Sequence, residues 1–318
     1  MEKSRFLKNK VVFFGTPIFA AEVLQFLVEH GVSVAAVVTR PDRPQGRDLV
    51  LKVSAVKERA QKVLPSVPIL QPEKASDPVF LQALKDLQAD LYVVVAYGQI
   101  VPGSLLSIPP LGCINVHASL LPKYRGAAPM QRCLLAGEEE TGIAIQKMVK
   151  QLDAGDVIAM VKVAVGRDMT LGELTKTLCE ASKELLQHVL QQYEQGEPSA
   201  VEQDHAAATY APKIETSEGL ICWSDPAEKI HNTIRAFSPR PGAWSWLEEG
   251  KKRIKILRSK VVGSMQGAPG ELLSREGVIA CGLGSVQILE VQPEGKKAMP
   301  WADWFRGASQ FSGFFYKK

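Results

Sequence analysis

Cysteine is scarce. Five residues in 318 (Cys113, Cys133, Cys179, Cys222 and Cys281) form no C-x-x-C pair and leave an odd one over, which excludes a disulfide framework and fits a reducing cytoplasmic setting. The glycine fingerprint of dinucleotide-binding proteins is missing too. Gly15 is followed by Thr16, Pro17, Ile18 and Phe19 with no second glycine, so a pyrophosphate could not approach that turn closely and a dehydrogenase is disfavoured. The longest uncharged stretch, residues 91–121, is interrupted by Pro102, Pro109, Pro110, Gly98, Gly103 and Gly112, so no membrane helix is expected. The basic N-terminus is followed by only a short apolar run, Val11 to Phe14, against the ~7–15 residues a signal peptide needs. There is no internal repeat and no low-complexity tract.

What is present describes two domains, since ~150 residues is a common domain size and the chain has 318. Over the first 140 residues, short Val-rich runs without polar alternation (11–14, 32–38, 69–70, 91–96) are separated by helical patterns at 17–30, 54–63 and 78–87. That order is an α/β fold with a doubly wound parallel sheet. Residues 113–117 read as a further strand, 141–149 and 156–165 as an antiparallel extension, and 171–193 as one long helix. Residues 194–209, poor in large apolar side chains, read as a linker between a domain at 1–193 and another at 210–318. After a helix at 226–237, the second domain runs through short glycine-punctuated strands that suggest a small barrel or sandwich. Net charge is only +4, but residues 209–318 hold 16 Lys and Arg against 11 Asp and Glu, densest in KKRIKILRSK at 251–260. Such an appendix is either a nucleic-acid module or an ordinary solvated hairpin face.

Three places could carry chemistry. Gly15-Thr16-Pro17 joins the first strand to the first helix, with Thr16 expected as N-cap and Pro17 at the first helical position. Asn115 and His117 are two residues apart on a strand, so a carboxamide and an imidazole leave the same face, at the carboxyl end where open α/β sheets place ligands. A histidine acting as acid or base needs a carboxylate to orient it. Asp153 or Asp156, in the turn QLDAGD, can provide one or can simply form the turn.

The runs FFGTPIFA, VAYGQIVP, CINVHASLLPKYRGAAP and QLDAGD, in this order and spacing, resemble the 10-formyltetrahydrofolate-dependent formyltransferase family. The resemblance covers nearly the whole chain and implies a Rossmann-like catalytic domain followed by an OB-like β-barrel. It implies 10-formyltetrahydrofolate as donor, with no metal, and Asn115, His117 and Asp153 as catalytic residues. Ser119, Leu120, Leu121 and Pro122 would be the folate loop, with backbone at Ala96, Tyr97 and Gly98 as a second wall.

The insertion TRPDRPQGR after the second strand and the second domain, opening TYAPKI and continuing through FSPRPGAW, resemble the branch whose acceptor is methionyl-initiator tRNA. Arg47 and Arg43 in the insertion, and Lys251, Lys252, Arg253 and Lys255 in the second domain, are the expected tRNA contacts. Asp48-Leu49-Val50-Leu51 stands where further lysines usually follow, and Arg240 replaces the usual aromatic. The alternatives are a formyltransferase or hydrolase acting on a small acceptor (glycinamide ribonucleotide, an amino sugar or water) and a non-catalytic RNA-binding protein. A monomer is expected.

Overall fold

The computed structural model describes residues 8–45, 50–248, 252–263, 265, 267–308, 311 and 313–315. The chain divides into two compact units: residues 1–126, 142–163 and 176–210, and residues 127–141, 164–175 and 211–318.

The first unit is built on a seven-stranded sheet. Its strands are β1 (Lys10–Gly15), β2 (Ser33–Val38), β5 (Ile69–Leu70), β6 (Leu91–Val95), β7 (Cys113–His117), β8 (Glu140–Lys147) and β9 (Val157–Ala164), in the order β5-β2-β1-β6-β7-β8-β9. A two-stranded ribbon, β3 (Arg43–Gln45) with β4 (Val50–Lys52), carries the insertion. Strands β5 through β7 pair in parallel, and β7 pairs antiparallel with β8. Every residue of β6 and all but the first of β1 are buried, which is why these strands lack polar alternation. The order reverses between β1 and β6, so the chain leaves the sheet there in opposite directions and opens a crevice at the strands' carboxyl ends.

Helices α1 (Ile18–Glu29), α2 (Ala55–Val63), α3 (Pro78–Asp86), α4 (Gly103–Leu106) and α6 (Leu171–Tyr193) accompany this sheet. Ser54 caps α2 by accepting from the Lys57 amide at 3.0 Å, and Asp77 caps α3 through the amides of Val79 and Phe80. The expected cap of α1 is not formed. Pro17 takes the cap position without a side-chain bond, and the Thr16 hydroxyl donates to the Tyr97 carbonyl at 2.7 Å. Thr16 thus ties the turn after β1 to the turn after β6 across the crevice.

The second unit holds an antiparallel sheet in the order β10-β11-β13-β12: β10 (Ala243–Glu248), β11 (Lys252–Val262), β12 (Val278–Ala280) and β13 (Ser285–Pro293), with β14 (Met299–Pro300) on β13. Helix α7 (Ala227–Phe237) packs on β11, α5 (Pro129–Ala136) packs on α7, and α8 (Trp301–Arg306) follows β14. The basic run lies on β11, one arm of the β10–β11 hairpin.

Gly15 sits where β1 ends in the crevice. A Cβ there would lie 2.6 Å from Ala20 Cβ and 3.1 Å from the Val95 carbonyl. Gly15→Ala is therefore expected to lower the urea midpoint, at a cost of about 1–3 kcal/mol. Gly103→Ala, at a position with nothing within 4 Å, should leave the midpoint unchanged or raise it, with a gain in stability of up to about 1 kcal/mol. Urea unfolding of both variants checks the contrast.

Candidate active site

Strand β7 ends with His117, and its register places Asn115 opposite Gln146 of β8. Two residues apart in an extended strand, Asn115 and His117 face the same side. The turn from β8 to β9 folds Asp153 over that side. The Asp153 carboxylate accepts from the Gly126 amide at 2.8 Å and from Gln146 Nε2 at 3.0 Å. Asn115 Nδ2 donates more weakly at 3.4 Å, and His117 Nδ1 stands 3.6 Å away, an ion-pair distance rather than a hydrogen bond. His117 Nε2 lies 2.9 Å from the Tyr124 carbonyl. A carbonyl only accepts, so Nε2 carries a hydrogen and Nδ1 is the nitrogen presented to the carboxylate.

The side chains are nearly enclosed, His117 at 6% and Asp153 at 12% of full exposure. A carboxylate in such a place is stable only when its oxygens are supplied with donors. Four residues converge on this one. Asp153 itself has φ +49°, a left-handed backbone that aspartate tolerates better than most residues. Asp156 contributes only its carbonyl, to the Lys147 amide.

The turn is held from behind by side chains whose roles are not readable from the sequence. Gln203 donates to the Asp153 carbonyl at 3.0 Å, the Gly155 carbonyl at 2.6 Å and Gln146 Oε1 at 3.2 Å. Its own oxygen accepts from Arg125 Nε and Nη2 at 3.1 and 2.7 Å, and Arg125 Nη2 also lies 3.0 Å from His205 Nδ1. Arg125 and Gln203 are both buried. The segment expected as a plain linker is thus bound in part: Val201 pairs with Val157, and Thr209 bonds to Tyr124, Arg125 and Pro122. Gln146 had a signal, being an amide directly after the apolar run Ile143-Ala144-Ile145. Gln203, in EQDHAAAT, had none.

The loop after β7 has a mixed disposition. Ser119 is fully buried and donates to the Lys123 carbonyl at 2.6 Å, and Leu121 packs with Ala144 and Val157. Leu120 covers Gly142, while Pro122 is half-buried. On the other side of the crevice, Ala96 (φ +47°) and Gly98 (φ +85°) are exposed, and Tyr97 is turned into the core.

Among the basic residues, Arg47 and Lys251 lie outside the described residues. Arg43 is ion-paired with Glu73. Lys252 and Arg253 are exposed on β11, and Lys255 donates to the Pro241 carbonyl at 2.6 Å. Among the described residues no three His, Cys, Asp or Glu side chains group as a metal site, and no helix is long and apolar enough to cross a membrane.

The formyl transferase family model matches residues 8–190, and the model of its C-terminal domain matches residues 213–309. The chain is 46% identical over 308 residues to a methionyl-tRNA formyltransferase of Protochlamydia amoebophila, covering 95% of this chain and 96% of that one. It is 44% identical over 301 residues to another methionyl-tRNA formyltransferase, from Citrifermentans bemidjiense, covering 94% and 93%. Its fold resembles a sugar 3N-formyltransferase crystallised with dTDP and 5-N-formyl-tetrahydrofolate (TM-score 0.64, 16% identity, 92% of this chain and 100% of that chain). It also resembles HypX from Aquifex aeolicus in complex with tetrahydrofolic acid (TM-score 0.65, 16% identity, 98% and 51%).

If Gln203 holds the Asp153 turn, Gln203→Ala strips partners from two carbonyls and from Arg125, which should cost about 1–3 kcal/mol of stability. Exchange of the Gly126 amide hydrogen, bound to Asp153, should quicken. Gly155→Ala, whose Cβ would sit 1.8 Å from the Lys147 carbonyl, should quicken it as well. Unchanged protection of Gly126 in both variants would show that the turn is held by other contacts.

Proposed function

The chain belongs to the formyl transferase family, and from that premise we propose how its residues divide the work. The protein transfers the formyl group of 10-formyltetrahydrofolate to the amino group of methionyl-initiator tRNA, giving the N-formylmethionyl-tRNA used in translation initiation. The observation that carries this is similarity running through both domains to relatives of the same length and activity.

The residues at the crevice fit a folate formyl donor. They offer N–H donors, one enclosed carboxylate and exposed backbone turns, the chemistry that a polar formamide on a flat heterocycle requires. The donor supplies a formyl carbon open to attack by an amine, and negative charge then develops on the formyl oxygen. Asn115 Nδ2 and, in the protonated ring, His117 Nδ1 donate to that oxygen. Both stand at loose distances from Asp153, 3.4 and 3.6 Å, so neither is consumed by the carboxylate, and apo contacts of this kind tighten when substrate arrives. Asp153 fixes the orientation of His117 and helps move the proton that the attacking amine loses to the folate nitrogen, which departs as its bond to the formyl carbon breaks. Backbone at Ala96 and Gly98 and the loop Ser119-Leu120-Leu121-Pro122 form the walls for the folate. Since the side chains of Ser119 and Leu121 are turned inward, the wall made by that loop is mainly main chain together with Leu120 and Pro122.

Arg47 places the acceptor end beside His117, with Arg43 at the base of the same insertion. Lys251, Lys252, Arg253 and Lys255 meet tRNA phosphates. We assign a monomer acting in the cytoplasm, a compartment supported by the few, scattered cysteines with no C-x-x-C pair and by the site of translation.

Removing one oxyanion donor typically costs about 10²–10³ in kcat. Asn115→Ala and His117→Ala should each fall in that range with the fold intact. Asp153→Asn should lose at least as much and Asp156→Asn much less. The assay is formation of formyl-methionyl-tRNA from 10-formyltetrahydrofolate and charged initiator tRNA. Near-normal turnover of either Ala variant would remove the proposed site, and the reverse ranking of the two Asn variants would move the carboxylate to Asp156.

A further inference from the structure

The second unit's sheet has a face on which aromatic rings accompany the basic residues. Strand pairing sets Trp244 of β10 opposite Lys255 of β11, and Lys255 opposite Gln292 of β13. These three form a row across adjacent strands. The opposite face of the same strands is core, with Ser245, Ile254 and Ile256 fully buried. In the next row the Arg253 guanidinium lies 4.7 Å from the centre of the Trp244 ring and 4.8 Å from that of Trp246, and the two rings meet edge to face. Held by two indoles, the guanidinium is pre-positioned. A cavity of about 430 Å³ opens over this face, floored by Trp244, Arg253, Lys255 and Gln292. Its rim is the turn after β13, where Gln292 donates to the Lys296 carbonyl at 3.0 Å and Lys296 is exposed.

A volume of that order is that of a small-ligand pocket. The combination of a half-exposed indole, a fixed guanidinium, two ammonium groups and a carboxamide, with Glu294 the one acid against three cations in the lining, is suited to one nucleotide. The ring takes a base face, the amide a base edge and the cations the flanking phosphates. Duplex phosphates alone would call for charge without the aromatic or the concavity. We propose that this pocket receives a single unstacked nucleotide of the tRNA, with its base on Trp244 and its phosphates on Arg253 and Lys296. This rests on the reading that the protein acts on tRNA, and it adds a contact in which stacking rather than charge carries the affinity.

Stacking and charge separate in a salt titration. Binding of full-length protein to methionyl-initiator tRNA is measured across salt concentrations for wild type, Trp244→Ala, Trp244→Phe and Arg253→Gln, with thermal unfolding recorded for each. Trp244→Ala should weaken binding about tenfold or more at every salt concentration while leaving the slope of log K against log salt unchanged. Trp244→Phe should recover most of the loss, and Arg253→Gln should reduce the slope by about one. A short single-stranded oligoribonucleotide should compete better than a duplex of the same length. The KM for tRNA should rise in Trp244→Ala, with kcat at saturation and the folate KM unchanged.

Wild-type affinity in Trp244→Ala, a loss expressed in the slope, or a Phe variant no better than Ala would each overturn the pocket while leaving tRNA formylation standing. A wild-type protein that neither binds nor formylates the tRNA would overturn both.

Discussion

The first domain is organised around one enclosed carboxylate. Isolated, a charge as buried as Asp153 would cost several kcal/mol, roughly the stability of a small domain. It is admitted because donors arrive from three separate pieces of chain, Asn115 from β7, Gln146 from β8 and the Gly126 amide from the loop beyond β7, with His117 Nδ1 at ion-pair distance. Each donor is useful only if its element is in register. A one-residue slip of β8 would turn Gln146 to the opposite face and leave Asp153 short of a partner. The requirement to satisfy this group therefore constrains the pairing of β7 with β8, the shape of the β8–β9 turn and the path of residues 122–126 together.

The same constraint explains the second layer. A turn built on a left-handed aspartate next to Gly155, whose Cβ would meet the Lys147 carbonyl, has its own carbonyls facing inward. Gln203 supplies two of them, and Arg125 in turn satisfies Gln203. Residues 201–210 thus help hold the Asp153 turn, because buried amides must be answered by something.

These relations explain what the sequence could and could not reveal. The parallel sheet was legible because unbroken Val, Phe and Tyr runs at 11–14 and 91–96 have no other soluble use. The site's strand was legible because Asn115 and His117 are local, two residues apart, and period two fixes their common face. Asp153 was legible only through family resemblance, since Asp and Gly are also what any turn uses. Gln203 was not legible at all: its partners lie 48 to 78 residues away, and no local period encodes them. Thr16 shows the converse failure. The local rule for a helix cap was sound, yet a longer-range bond to the Tyr97 carbonyl claimed the hydroxyl.

The second domain repeats the contrast in electrostatic form. Counted along the chain, Lys252, Arg253 and Lys255 are equivalent positive charges. In the folded sheet they are not, because the β10–β11 register gives each a different neighbour. Arg253 lies against Trp244 and Trp246, Lys255 spends one donor on the Pro241 carbonyl and packs over Gly242, and Arg258 further along the strand is drawn to Glu173. A basic run read from sequence is thus an upper bound on phosphate contacts, and part of its charge has already been committed to shaping the surface. Where an arginine is fixed by aromatic rings, its cost in side-chain entropy has been met during folding rather than on binding. Recognition built this way depends on shape as much as on charge. The Asp153 cluster is its counterpart of opposite charge: one satisfies a buried anion at strand ends, the other fixes a cation on an open sheet face, and in both the register of neighbouring strands decides which groups can meet.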